Sequence, residues 1–584
     1  MKEKYCQVLA LFLFFVVFCV ATSVVSASSD SRFADYVFTH GKVYTMDSAA
    51  PWQQAVAVKG NKIVYVGPDS GISNWIGSAT KVVDLKGRML MPGFVDGHNH
   101  FVAGAASKRG VSLVGAKDKQ EMLQRIRDYV KANPQKDAYM GFGWEFPMFG
   151  EQLGTRQELD AICSDKPMMF FNEDSHHLWF NTKSMTVAGV SKDTPDAVPG
   201  ASYFKREADG TPSGFAIEPD VWMAMASRAG ILGGKEMLRE ITDVVFPMIP
   251  KFGITAYHDM GIWAPSFPQG YLGFELLCDL EKDGKLPFRV VGVYGIRDGK
   301  ASPQEHVQVL KKWNQSYRSE LVQVTGVKIW SDGTYLSHTA VQIEPYIDKP
   351  ETRGESDWTA EVLARWIEET YHAGFDMNIH SEGDMSTRRS LDALERVLQK
   401  LGPSERLTTL HHLTVIHPED LPRFKALGAG ANMTPVWLVD YKDQHKDALR
   451  ILGKAKVEQE YGLARALIES GVNVSFGSDI PGTDVEEISP LYQMQAAITG
   501  RVPGSASTVI PAANRLLSLE QMLYGYTLAG ARQMRMADRI GSIEVGKLAD
   551  LIVLEKNLFE VPPDELAATK VVLTMMNGKL VFSR

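Results

Sequence analysis

His98 and His100 stand one residue apart at the end of an apolar run, in GFVDGHNH. Side chains along a strand alternate with a period of two, so both imidazoles face one side and can share a metal ion, with Asp96 in phase. Further along, Lys328 sits in VTGVKIWSDG, His380 in DMNIHSEGD, His411 and His412 in TTLHHLTVIHPED, and Asp479 in NVSFGSDIPG. Each lies in, or at the end of, a short apolar run. Imidazole and carboxylate groups in that number suit Zn²⁺ or a similar transition metal. Taken singly, each has an ordinary explanation. A strand-end His is commonly a hydrogen-bonded structural group, an Asp before Ile-Pro-Gly can start a turn, and a strand Lys can snorkel to solvent. The order His-x-His, Lys, His, His, Asp, repeated at strand ends, argues instead for one convergent site.

The elements that must position these residues alternate between strand and helix. Strand candidates are Met91–His100, Ile254–Met260, Phe288–Gly295, Gly326–Gly333, Asp376–Gly383, Leu407–Leu413, Gly428–Pro435 and Asn473–Pro481. Amphipathic stretches such as Ala360–Ala373, Thr387–Leu401 and Glu458–Glu469 separate most of them. Eight strands close a (β/α)8 TIM barrel, in which C-terminal strand ends share a common mouth. The first two candidates are too far apart for one helix, so residues from about 105 to 245 form an inserted subdomain. Both chain ends are β-rich, with Asn577-Gly578 as a hairpin turn. The expected layout is an α/β barrel over 91–535 and a small β-sandwich built from 32–90 and 536–584.

Composition narrows the function classes. The 584 residues are 45% hydrophobic and 23% charged, with a formal charge of -8. This is the profile of a folded globular protein. No basic stripe is present to neutralise phosphates, so nucleic acid is not an expected partner. Lys2 and Lys4 precede an apolar run from Val8 to Ala21, and Val25-Ser26-Ala27 supplies a small residue for cleavage. Residues 1–27 therefore read as a secretory signal peptide, which implies export and leaves no membrane span once removed. Of the four cysteines, Cys163 and Cys278 would remain, either as a pair or as two buried thiols. The sequence leaves self-association open.

MPGFVDGHNH resembles the first-strand signature of the amidohydrolase superfamily. VKIWSDGTYLSHTA with EPYID, NIHSEGD, HHLTVIHPEDLPRFKALG, YTLAGARQM and GSIEVGKLADLIVL are similar to its YtcJ-like branch, amidohydrolase family 3, which includes N-substituted formamide deformylases. The resemblance runs from Asp35 to the C-terminus. It implies two zinc or other divalent ions per chain. His98, His100 and Asp479 would hold one, His380 and His412 the other, and Lys328, carboxylated by CO₂, would bridge them. It further implies hydrolysis of a C–N bond in a small-molecule amide, N-acyl or N-formyl amine by metal-activated hydroxide, with Asp479 as general base and then acid.

The chain departs from that branch at several positions. His411 replaces the Glu usual before the sixth-strand His, and alignment assigns the ligand role to His412. GTYLSHTA replaces GSLGSRTA, putting His338 where Arg is common. DSHHLWFN replaces DGHSAWVN, so His176 matches and His177 is extra. His176, Trp179, His258, His338 and Trp144 are the expected substrate-pocket residues. A deaminase or cyclic-amide hydrolase on the same fold is the alternative. Deaminases of the superfamily usually carry H-x-x-E after the fifth strand, and Glu382, two residues after His380, is out of place for it. A non-catalytic scaffold is disfavoured because all six expected ligands are present.

Overall fold

The computed structural model describes residues 32–584 apart from 101, 103–109, 151, 174–175, 198, 200–201, 232–237, 240–241, 244, 262–271, 507–509 and 511. The expected signal peptide lies outside the described residues. Eight strands pair side by side, all in parallel: β1 (Phe94–Asn99), β2 (Ile254–Asp259), β3 (Arg289–Ile296), β4 (Val322–Trp330), β5 (Asp376–Ser381), β6 (Thr408–His412), β7 (Gly430–Met433) and β8 (Val474–Phe476). Parallel neighbours need crossovers, and helices such as Ala360–His372 and Asp384–Leu401 supply them. Their apolar faces, including Leu363, Trp366, Ile367, Leu391 and Leu394, pack on the outside of the strands.

The ring closes between β8 and β1. Asp479 N–H donates to the His98 carbonyl at 2.9 Å, and Ser478 N–H donates to Asp96 Oδ1 at 3.1 Å. Closure requires Gly477, because a Cβ there would come within 2.4 Å of His98 N. The chain therefore forms a TIM barrel.

Both termini contribute to the β-sandwich. A six-stranded sheet runs in the order 579–583, 571–576, 551–554, 89–92, 42–44, 52–53, and a four-stranded sheet in the order 62–67, 55–59, 36–39, 81–84. Phe38, Val56, Val58, Leu90, Leu551, Val553 and Met575 fill the space between them. Met91 and Pro92, read from sequence as the start of the first barrel strand, pair here with Ile552 and Leu551. Asn577 (φ 52°) and Gly578 (φ 75°) make the hairpin turn. Arg289, at the start of β3, ties the sandwich to the barrel. Its Nε donates to Asp550 Oδ2 at 2.7 Å and its Nη2 to Asn577 Oδ1 at 2.7 Å.

The insertion carries a mixed six-stranded sheet in the order 203–206, 212–217, 177–180, 168–172, 139–144, 111–112. Both its faces are covered. Trp144, Phe149, Trp179 and Phe215 pack on one side, and Phe171, Leu178, Phe180 and Trp222 on the other. The single helix read over Glu458–Glu469 is two, Lys454–Glu460 and Ala464–Glu469, because Gly462 between them takes φ 67°. Cys163 and Cys278 are both free and half-buried. Among the described residues, no helix is long and apolar enough to cross a membrane.

Candidate metal centre

Strand register brings the polar residues to one end of the barrel. Lys328 on β4 lies opposite Asn378 on β5, and His380 lies opposite Trp330 and His411. His98 and His100, two apart on and just after β1, face inward together. Strand alternation alone would send His411 and His412 to opposite sides. His412 and Leu413 instead take φ 74° and 51°, left-handed values that non-glycine residues rarely adopt, and the His412 ring turns back over the mouth. Asp479 is held similarly, at φ 49°.

Asp479 is the hub. Its Oδ1 lies 3.5 Å from both His98 Nε2 and His100 Nε2, and its Oδ2 lies 3.6 Å from His412 Nδ1. Donor atoms of His98, His412 and Asp479 all fall within 4.8 Å of one another. Ligands about 2.0–2.1 Å from a tetrahedral Zn²⁺ would stand roughly 3.3 Å apart, so the Asp479–imidazole separations suit a metal centre at this point of the mouth. Lys328 Nζ is 3.4 Å from His98 Nε2 and fully buried. The His380 ring lies 4.2 Å from the His412 ring, and its Nε2 is 3.1 Å from the Gly333 carbonyl. That contact assigns the Nε2 proton and leaves Nδ1 as the bare nitrogen.

Electrostatics favour metal ligation. Burial, reinforced by the Lys328 charge, holds His98, His100, His380 and His411 well below the usual imidazole range. Burial does the same for His412, reinforced first by His380. Neutral imidazole is the form that binds metal. Burial pushes the Lys328 amine down, with Asp479 opposing, and pushes the Asp479 carboxyl up, with Lys328 opposing.

A small cleft opens above this cluster. His100, His380, His412 and Asp479 form its floor, while Trp330, Trp437 and Arg297 contribute to its walls. Trp437 stacks on the His412 ring at 6.0 Å and 14°, and the Arg297 guanidinium lies 4.2 Å over Trp330. Glu382 also lines the cleft, its Oε1 accepting from Tyr335 N–H at 2.8 Å. Asp332 braces the loops after β4 and β5, accepting from the N–H groups of Val341, Glu382 and Gly383.

Of the five residues expected from sequence to form the substrate pocket, His176 borders the cleft. Its Nδ1 is 2.7 Å from Glu218 Oε2, and Glu218 Oε1 accepts from Thr339 Oγ1 at 2.9 Å. The other four do not border it. Trp144 and Trp179 sit inside the insertion core, with indole N–H groups donating to the carbonyls of Phe170 and Thr155. His258 is buried with Nδ1 2.9 Å from Gln533 Nε2. His338 is turned away by φ 60° and pairs with Asp348 at 2.9 Å. Likewise His177 is spent within the insertion, on Asn172. Sequence reasoning missed Trp330, Trp437, Arg297 and Glu218. Trp330, in phase with Lys328 on β4, carried a readable signal, whereas the other three sit on loops or element termini.

A parallel barrel with histidine and carboxylate donors gathered at its mouth defines a hydrolase of the metal-dependent class. The chain belongs to the amidohydrolase family, which it matches over residues 81–582. It is a hydrolase acting on carbon–nitrogen bonds. It is 26% identical to Protein LONG AFTER FAR-RED 3 of Arabidopsis thaliana, over 94% of this chain and 92% of that one. It is 23% identical to N-substituted formamide deformylase of Arthrobacter pascens, over 95% and 99%. The barrel also superimposes on a metal-dependent hydrolase from Pyrococcus furiosus, with a TM-score of 0.68 and 21% identity over 89% and 99% of the two chains.

Proposed function

We propose that this protein is an exported amidohydrolase that cleaves an N-acyl or N-formyl amine, using two divalent ions held at the barrel mouth. The observation that carries this reading is the contact of one carboxylate, Asp479, with three imidazoles on the floor of a cleft walled by tryptophans. His98, His100 and Asp479 would hold one ion and His380 and His412 the other, and Lys328, as a carbamate, would supply oxygen ligands. A divalent metal such as zinc supplies polarisation of the scissile carbonyl and acidification of water.

The remaining work falls to the chain. Buried Asp479, its proton affinity raised, accepts the proton of the attacking water on a carboxylate oxygen. It then delivers that proton to the departing nitrogen as the C–N bond breaks, so that water is divided between acid and amine. Burial of Lys328 favours its neutral amine, the form that adds CO₂. Trp330 and Trp437 narrow the cleft against water, and Glu218 fixes the ring orientation of His176 at its edge. The deformylase relative supports a formyl or small acyl group as the part released.

Glu382 favours a second reading. It borders the cleft near His380 despite its unusual spacing, and a carboxyl group there could serve a deaminase. A panel of N-formyl and N-acyl amines, together with amino-heterocycles, separates the two readings. Release of free amine without ammonia is expected. Ammonia release confined to the heterocycles would overturn the amidase reading in favour of the second.

A further inference from the structure

His411 is fully buried, and both its ring nitrogens are engaged, neither with Asp479. Its Nδ1 lies 2.9 Å from His98 Nδ1, and its Nε2 lies 3.0 Å from Asn378 Oδ1. The Asn378 amide is itself oriented, because its Nδ2 faces the Val327 carbonyl at 3.4 Å. Turning the amide over would set two oxygens against each other there.

This orientation favours one proton order along the line. Asn378 Oδ1 can only accept, so His411 Nε2 must carry the hydrogen. A neutral imidazole has one N–H, which leaves His411 Nδ1 a bare acceptor. His98 Nδ1 must then donate to it, and the lone pair of His98 falls on Nε2. That is the atom facing Asp479 Oδ1 at 3.5 Å and Lys328 Nζ at 3.4 Å. The opposite proton order would place a hydrogen on His98 Nε2 and block it as a ligand.

We propose that His411, anchored by Asn378, is a positioning residue that sets the tautomer and ring angle of His98, the first metal ligand. This inference rests on the metal-dependent reading above. An imidazole can serve as the acceptor only while its other nitrogen is held as a donor, so Asn378 and His411 act as a unit. Groups that orient a metal-binding imidazole are typically worth 10–100-fold in metal affinity.

The test measures Zn²⁺ affinity by chelator competition, and the visible absorption bands of the Co²⁺-loaded protein, for wild type, His411→Leu, His411→Glu and Asn378→Leu. Circular dichroism confirms that each variant is folded. His411→Leu, which has no acceptor, should bind roughly 10–100-fold more weakly and with altered Co²⁺ bands. Asn378→Leu should weaken binding in the same direction. His411→Glu, whose carboxylate accepts from His98 Nδ1–H unaided, should bind within about threefold of wild type or tighter, a rescue that packing alone would not give. Wild-type affinity in His411→Leu, or equal loss in His411→Glu and His411→Leu, overturns the inference and leaves the proposed function standing. A wild-type protein that takes up no metal overturns both.

Discussion

Asp550→Ala should be among the most damaging substitutions outside the barrel mouth. Arg289 and Asp550 have side chains only 1% and 2% exposed, and they meet through two hydrogen bonds of 2.7 and 3.2 Å. Asp550 Oδ1 also accepts from Asn577 N–H at 2.7 Å, which fixes the final hairpin. Arg289 Nη1 has no hydrogen-bond partner, so the guanidinium depends heavily on this carboxylate. Removing it leaves a buried cation without its counter-charge, at a cost of about 3–5 kcal/mol. Replacing both partners with apolar residues, Arg289→Met with Asp550→Leu, removes the desolvation cost as well and should recover most of the loss.

Thermal and urea denaturation, followed by circular dichroism, compare the three proteins on the same transition. Limited proteolysis should show the strands after residue 550 released first in the single variant. Metal content should be unchanged, because Arg289 begins β3 at the end of the barrel away from the mouth. Loss of less than about 1 kcal/mol in Asp550→Ala, or a double variant no better than the single one, would refute the desolvation argument.

Two further outcomes follow from the proposed function. Asp479→Asn removes the proton acceptor while keeping the side-chain size, and amine release by the folded variant should fall about 10²–10⁴-fold; a fall of less than tenfold would assign the proton transfer elsewhere. N-terminal sequencing of the exported protein should begin at Ser28. An N-terminus at Met1 would show that the leader is retained.

The barrel was legible because its strands are short, mostly apolar runs and the crossovers between most of them are amphipathic. The convergence of these side chains was legible for the same reason: His98 and His100 obey the strand period, and His380 and Asp479 sit where such runs stop. His412 is different. Its inward turn depends on a left-handed backbone at His412 and Leu413, which no period predicts. Aromatic side chains near histidines were misleading in the insertion, because Trp144 and Trp179 fall on the strand face that builds a core. His258 does lie on a barrel strand, but Gln533, from a distant helix, takes up its Nδ1. The cleft walls were the least legible part. Trp437 reaches it from the short 3-10 helix Pro435–Leu438 and Arg297 from the loop after β3, and their approach is fixed by long-range packing rather than by any local pattern.

The proposed function depends on a metal centre built from His98, His100, Lys328, His380, His412 and Asp479. Metal content per chain, by elemental analysis of mature protein purified without chelators or added metal, tests it most directly. About two ions per chain are expected, falling when Lys328→Ala removes the shared ligand position. A protein that contains no metal, and takes none up from Zn²⁺ with bicarbonate, would contradict it.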